Sequence, residues 1–413
     1  MEDKTVVILG GGVGGIVTAN ELRRKLPPGH KVVLVEKNTA HTFAPSFLWL
    51  MTGDRKADKI TRPLRSLVRS GVDIVHTEVT GIDITNRRVS TTTGRLSYDY
   101  LVVALGAELA PQLIPGLAED SLSFYSFEET KRLRQALEAF NGGTVALVVA
   151  GLPYKCPGAP HEAAMLIRDH FRRRGMRNNV GIHLYTPESQ PMPVAGLQIG
   201  EAVKEMLTSK GIAFHPNYKL VSVDTQNHSL WFDGKEAAHY DMLIAIPPHR
   251  VPRVVLDARL TNEAGWIPVD RSTLKTGQEN VYAIGDVTAL SIPGRWNPEV
   301  PMMLPKAGVF AHDQAEIVAQ RIADGINGLA SKAEFCGPGY CMLEAGEGLA
   351  GFAFGDFFAE PSPRLEMRNI GKAWHIGKVL FEKWWLSPFG VKKSLLRAML
   401  NIGGRVMKIP IKL

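Results

Sequence analysis

Three cysteines in 413 residues are too few for a disulfide-built scaffold and enough for one thiol pair with a chemical task. Cys156 lies in KCPGAPHEAA, between an apolar run that reads as a strand and a segment with helical spacing. Glu162 follows it at the start of that helix, where the dipole favours a carboxylate and where a carboxylate can exchange protons with a thiol. Cys341 lies in GYCMLEAGEG, and Cys336 stands five positions before it. An isolated cysteine is commonly a small buried hydrophobe, so context must decide which of the three react. His41, His161 and His312 lack the spacing of a ligand set, and no metal site is inferred.

A second constellation is built for phosphates. Gly10, Gly12 and Gly15 fit G-x-G-x-x-G, follow the apolar run TVVIL and open the helical segment IVTANELRRKL. Glycines there allow a tight turn and let backbone N–H groups approach a pyrophosphate at a helix N-terminus. Glu36 ends the next strand, 21 residues past Gly15, in place to accept hydrogen bonds from ribose hydroxyls.

The elements that must carry these groups follow from the apolar pattern. TVVIL and KVVLV read as strands buried on both faces, with a helix between them: a βαβ unit of nucleotide-binding size. A second unit runs from TVALVVAG through EAAMLIRDHFRRRG to VGIHLYTPE. At 45% hydrophobic and 22% charged, the chain can fill two or three cores and is not disordered. The expected class is α/β, with two Rossmann-like dinucleotide-binding domains and a C-terminal amphipathic membrane-anchoring region. The expected division is 1–115 with 270–335 for a discontinuous first Rossmann-like domain and 116–269 for a second one carrying Cys156. A strand-rich interface region carrying Cys341 spans 336–371, and a basic amphipathic tail 372–413.

Two more segments identify the first nucleotide. YDYLVVALGAEL ends a strand with Gly106, and ENVYAIGDVTAL ends another with Gly285 and Asp286. Together with the Gly-rich turn they resemble the ordered flavin motifs of the two-dinucleotide-domain flavoproteins, the disulfide reductase superfamily. Within it, KCPGAPHE and the later Cys341 resemble the sulfide:quinone oxidoreductases. The resemblance covers nearly the whole chain. It implies FAD bound by Gly10, Gly12, Gly15, Glu36, Val79, Gly106, Gly285 and Asp286, with Asp286 on the ribityl chain. Lys306, in LPKAGVFAHDQ, would set a positive charge against the flavin's pyrimidine edge. It also implies a disulfide or sulfur-bridged pair of Cys156 and Cys341 on one flavin face, Cys341 nearer the flavin. Hydrosulfide would open that pair to a persulfide and a thiolate, two electrons would pass to FAD, and repeated cycles would lengthen a polysulfide. Many relatives carry a third cysteine upstream that tethers FAD; here SLSFYSFEET and HTFAP hold none, so the FAD is expected to be non-covalent. Cys336 is expected to be a bystander.

The second unit departs from an NADH site. Pro153, Pro157 and Pro160 stiffen its loop and remove an N–H donor that a pyrophosphate would need. NAD(P)H is therefore an unexpected partner.

The tail holds most of the charge. From Lys372 onward nine cations face one acid, Glu382, which leaves the other 371 residues at net −1. A near-neutral body with one basic end argues against nucleic acid and for a surface contact. No apolar stretch reaches the roughly 20 residues that span a bilayer. Val391, Leu395, Leu396, Met399, Leu400 and Ile402 fall towards one helical face, while Trp384, Trp385 and Phe389 suit a headgroup boundary. The tail is expected to make the protein a monotopic, peripheral membrane protein near a membrane quinone. The chain reaches Gly10 with no room for a signal peptide, so synthesis on the cytoplasmic side is expected. Homo-oligomers stay open. Three other readings share the fold: a flavocytochrome c-type sulfide dehydrogenase flavoprotein, a type II NADH:quinone dehydrogenase and a non-enzymatic flavin redox sensor.

Overall fold

The computed structural model describes residues 2–295 and 301–409. Thr5–Leu9 forms the middle of a five-stranded sheet in the order Val281–Ala283, Tyr100–Val103, Thr5–Leu9, Lys31–Val35, Asp73–Val75, with every pairing parallel. Alternate residues of the first strand feed two different cores. Val6 and Ile8 pack under the helices Val13–Lys25 and Gly308–Ile326, while Val7 and Leu9 pack against Ile82, Val89 and Trp266 on the other face. Burial on both faces explains why the strand is uniformly apolar rather than alternating.

The second parallel sheet runs Ile212–His215, Val180–Tyr185, Gly143–Val149, Met242–Ile246. Its central strand ends at the loop that carries Cys156, and the helix Ala159–Arg173 starts directly beyond. That helix is buried through most of its length, with Ala163, Ala164, Met165 and Ile167 in the second core. A third, antiparallel sheet of Pro338–Gly346, Leu349–Asp356 and Arg364–Gly371 places Cys341 opposite Ala353 and lies against the cysteine helix.

The C-terminal segment is not one amphipathic unit. Trp384 and Trp385, expected at a lipid headgroup boundary, are 3% and 5% exposed and sit in the core of the first domain. The helix Lys372–Trp385 is tied to the body through Glu382, which accepts from Ser46 Oγ at 2.6 Å and Arg55 Nε at 2.9 Å. The following helix, Val391–Val406, splits the apolar set expected on one face into two stripes. Leu396, Leu400 and Gly404 face inward, while Val391, Leu395, Met399, Ile402 and Val406 are exposed. Among the described residues no helix is long and apolar enough to cross a membrane.

Candidate functional site

One cavity of about 2320 Å³ connects the Gly-rich turn, the cysteine loop and the C-terminal helices. It exceeds the roughly 300–1,000 Å³ of an ordinary ligand pocket, which leaves room for a large cofactor and a second molecule.

At the nucleotide end the glycines are sterically required. A Cβ on Gly15 would lie 1.8 Å from Gly10 O, and Gly10 itself adopts φ +102° with Ala104 O 2.4 Å from where its Cβ would be. Gly12, which caps the helix, faces open space, so the unpaired N–H groups of the first turn are free for an anion. Glu36 is held at the rim: Oε2 accepts the Gly11 N–H at 2.7 Å and Oε1 accepts from Asn38. Val79 starts a half-buried edge strand paired with Thr91 and is not among the residues that line the cavity.

Further along, Gly106 and Gly285 line the wall in left-handed conformations, φ +68° and +72°. Gln314 of the long helix accepts the Gly285 N–H at 2.7 Å and fixes the turn that presents Asp286. Burial raises the Asp286 carboxyl, and Lys155 and Lys306 oppose it. Lys306 differs in aim from the sequence expectation. Its ammonium donates to Asp286 O at 2.7 Å and Thr288 O at 3.0 Å and lies 3.4 Å above the Trp266 ring. It clamps the Asp286 turn with two of its three donors. Burial lowers Lys306 to about 8. The open space above Gly12, the rim carboxylate and the two glycine turns together fit a dinucleotide such as FAD.

The thiols converge in the same cavity. Cys156 sits at φ +56°, rarely adopted without need, and its N–H donates to Lys306 O at 2.7 Å. Gly158 passes so close to Cys341 that a Cβ there would lie 3.5 Å from Cys341 Sγ. Both cysteines are free thiols, and both line the wall. Burial, then the Glu162 charge, pushes Cys156 up to about 12; burial and its neighbours Cys156 and Glu162 raise Cys341 further. A proton acceptor is therefore needed to make either thiol a nucleophile. Glu162 stands ready: it is buried, and its Oε1 accepts Lys378 Nζ at 2.5 Å and the Glu344 N–H at 2.7 Å. Burial raises its carboxyl against the lowering pull of Lys378. Cys336 is exposed at the cavity mouth, on the loop before the Cys341 strand begins at Pro338.

The sequence of the pyridine nucleotide-disulphide oxidoreductase family matches residues 4–315, most of the chain. The chain belongs to that family. Among curated relatives, the sulfide-quinone reductase of Aquifex aeolicus is 28% identical over 398 residues, 93% of this chain and 90% of its own. The mitochondrial sulfide:quinone oxidoreductase of Mus musculus is 28% identical over 298 residues, covering 69% of this chain and 66% of the mouse protein. The crystal structure of the Aquifex aeolicus sulfide:quinone oxidoreductase superposes with a TM-score of 0.84 at 26% identity, covering 99% of this chain and 96% of that one. The NDH2 of Plasmodium falciparum solved with NADH shares the fold, with a TM-score of 0.69 at 15% identity.

Within this member of the family, three groups went unread in the sequence. Glu188, in the TPE that follows the second unit's middle strand, occupies the place corresponding to Glu36 but is buried. It accepts from Tyr154 Oη at 2.9 Å and Thr186 Oγ1 at 3.0 Å, and burial raises it to about 7. Tyr154 belongs to the proline-rich loop, which thus folds over the carboxylate instead of leaving it for a ribose. His41 accepts the Trp385 indole N–H at Nε2, 2.9 Å away, so its proton sits on Nδ1 and faces Gly11 O at 3.2 Å. Lys378 and His375 lie three apart on one face of the helix Lys372–Trp385. That i, i+3 spacing was the available signal.

Proposed function

We propose that this protein is a sulfide:quinone oxidoreductase that binds FAD without a covalent link and oxidises sulfide through Cys156 and Cys341. The observation that carries the reading is the meeting of both thiols and Glu162 in the cavity that begins at Gly12 and Glu36. The curated names of the Aquifex and mouse relatives support it.

In the oxidised protein the two cysteines form a disulfide. Hydrosulfide attacks one sulfur, breaking the S–S bond to leave a persulfide on one cysteine and a thiolate on the other. Bound FAD supplies a two-electron acceptor that passes the pair to the quinone. Glu162 takes the proton that sulfide loses; burial raises its carboxyl and Lys378 opposes that rise. Lys378 pairs with the Glu162 carboxylate whenever that proton has left it. Growth of the sulfur chain would require the bound acceptor to remove two electrons from each persulfide and thiolate, so that they rejoin with loss of a proton as a longer sulfur bridge open to the next hydrosulfide.

The exposed stripe Val391, Leu395, Met399, Ile402 and Val406, bordered by Lys392, Arg397 and Arg405, supports an interfacial membrane contact for the last helix alone. The cavity reaches Phe389, Lys393 and Arg397 at the base of that helix, which favours quinone entry from the lipid side. A cytochrome-linked sulfide dehydrogenase would have no use for such a stripe. An NADH dehydrogenase is disfavoured by the Tyr154–Glu188 contact.

The test is anaerobic titration of the flavin-loaded protein with sulfide. Bleaching followed by reoxidation with a quinone analogue, with turnover, supports the enzyme. Stoichiometric bleaching without turnover would point to a redox sensor, and bleaching by NADH instead would point to the dehydrogenase.

A further inference from the structure

The Asp286 turn follows an edge strand of the first sheet, the Cys156 loop follows a central strand of the second, and Lys306 is bonded to both. Its ammonium donates to Asp286 O at 2.7 Å and Thr288 O at 3.0 Å. Its main-chain oxygen accepts the Cys156 N–H at 2.7 Å, and Lys155 and Lys306 pair there in a short parallel bridge. Residue 306 thus spans the gap between the flavin-binding turn and the thiol loop.

The thiol end of that span needs a fixed support. Cys156 holds φ +56°, a conformation that a residue with a Cβ keeps only where its surroundings enforce it. The bond from its N–H to Lys306 O is one constraint; the Ala159 N–H, donated to Cys156 O at 2.9 Å, is another. The flavin end rests on a buried cation. Lys306 is 7% exposed, and burial lowers it to about 8. It meets Asp286 through the main-chain oxygen, and the Asp286 carboxylate attracts it without a direct ion pair. The third contact of the ammonium is the face of Trp266, 3.4 Å from the ring centroid. An aromatic face is a strong partner for a cation that water does not reach. Trp266 is itself anchored: it packs with Val255, Leu260, Ile267 and Val287, and its N–H donates to Asn262 Oδ1 at 3.2 Å. It is not among the residues that line the cavity, so its route to the chemistry runs through Lys306.

We propose that Trp266 is a positioning residue for the thiol reaction. Its ring seats the Lys306 ammonium against the Asp286 and Thr288 carbonyls, and the seated lysine holds Cys156 at a fixed place relative to the flavin turn. Without the ring the ammonium leaves its seat, residue 306 shifts, and the Cys156 loop relaxes from its strained conformation.

The inference rests on the sulfide-oxidising reading above, and the test separates the two. Two rates are measured on the FAD-loaded full chain: anaerobic bleaching of the flavin by sulfide, and alkylation of Cys156 by iodoacetamide after reduction, followed by peptide mass spectrometry. Trp266→Leu should slow bleaching about tenfold and speed alkylation by about the same factor. Trp266→Phe keeps an aromatic face and should stay within about threefold of wild type on both. Lys306→Met should reproduce the Trp266→Leu changes, and adding Trp266→Leu to it should change little more, because one residue acts through the other. Wild-type rates in Trp266→Leu would overturn the proposal. So would effects that add in the double variant, or a Trp266→Phe as impaired as Trp266→Leu, either of which marks simple loss of core packing. Should Trp266→Leu lose its flavin, Trp266→Phe takes its place, and its smaller effect must vanish in the Lys306→Met chain. If wild type itself ignores sulfide, the functional reading fails, and the alkylation rates still decide the role of Trp266.

Discussion

Trp385 donates its indole N–H to His41 Nε2 at 2.9 Å, joining residues 344 positions apart. His41 in turn faces Gly11 O, so the C-terminal helix braces the turn that receives the cofactor. Removing everything after Gly371 should therefore do more than free the protein from lipid. Such a chain loses Trp385, Glu382 and Lys378 and should fail to retain FAD on gel filtration. A chain ending at Gly390 keeps all three; it should stay yellow and still bleach with sulfide. Trp385→Phe should lower stability by about 1–3 kcal/mol, the cost of leaving a buried acceptor unpaired, measured by thermal unfolding of the holoprotein.

The thiol pair allows a sharp contrast. Cys156→Ala and Cys341→Ala should each abolish sulfide-driven quinone reduction while leaving the flavin bound. Cys336→Ala should keep most of the rate, since that thiol is exposed and precedes the strand that presents Cys341. Normal turnover in either of the first two variants would remove the disulfide mechanism.

Glu188 gives the stability of the fold a pH dependence. Its folded pKa, about 7, lies above the ordinary carboxylate value because of burial. The folded state thus binds more protons than the unfolded chain between about pH 4.5 and 7. Stability from this group is present below that window and lost as pH rises through it, on the order of 3 kcal/mol in all. Glu188→Gln should flatten the dependence of denaturation midpoint on pH between 5 and 8. A profile as steep in the variant as in wild type would mean that another group governs it.

NADH should not bleach the flavin at rates comparable with sulfide. The second unit's carboxylate is covered by Tyr154, and its loop carries three prolines. Stopped-flow mixing of NADH with oxidised holoprotein checks this; rapid bleaching would show that the loop opens.

Vesicle binding should depend on the outer stripe of the last helix. Leu395→Glu with Met399→Glu should abolish flotation with anionic liposomes and leave sulfide bleaching intact, because both side chains point away from the core. High salt alone should release the unsubstituted protein only in part, since it screens the cations and not the apolar contact.

Much of the architecture was legible because it depends on neighbours in sequence. TVVIL had to be a doubly covered strand, and Gly10 and Gly15 had to be glycine because the chain folds back on itself within five residues. Trp384 and Trp385 in the tail were misread for the opposite reason. Alternating cations and large apolar residues suit a lipid surface and a packed interface equally. What decides for Trp384 and Trp385 is His41 and the first core, more than 300 positions away. Helical spacing placed Leu395 and Leu396 together, although the helix lies on the body so that adjacent residues face opposite ways. Lys306 was recognised as a site residue, yet its direction depends on Trp266 and two carbonyls that no local pattern reveals.

The lysine that pairs with Glu162 lies 216 positions beyond it, and the clasp on Ser46 spans 336. Contacts of such high sequence separation form slowly. The proposed sulfide chemistry thus depends on the docking of the C-terminal helix onto the body. During refolding from denaturant, far-ultraviolet circular dichroism should recover before sulfide turnover, which must wait for that helix to dock.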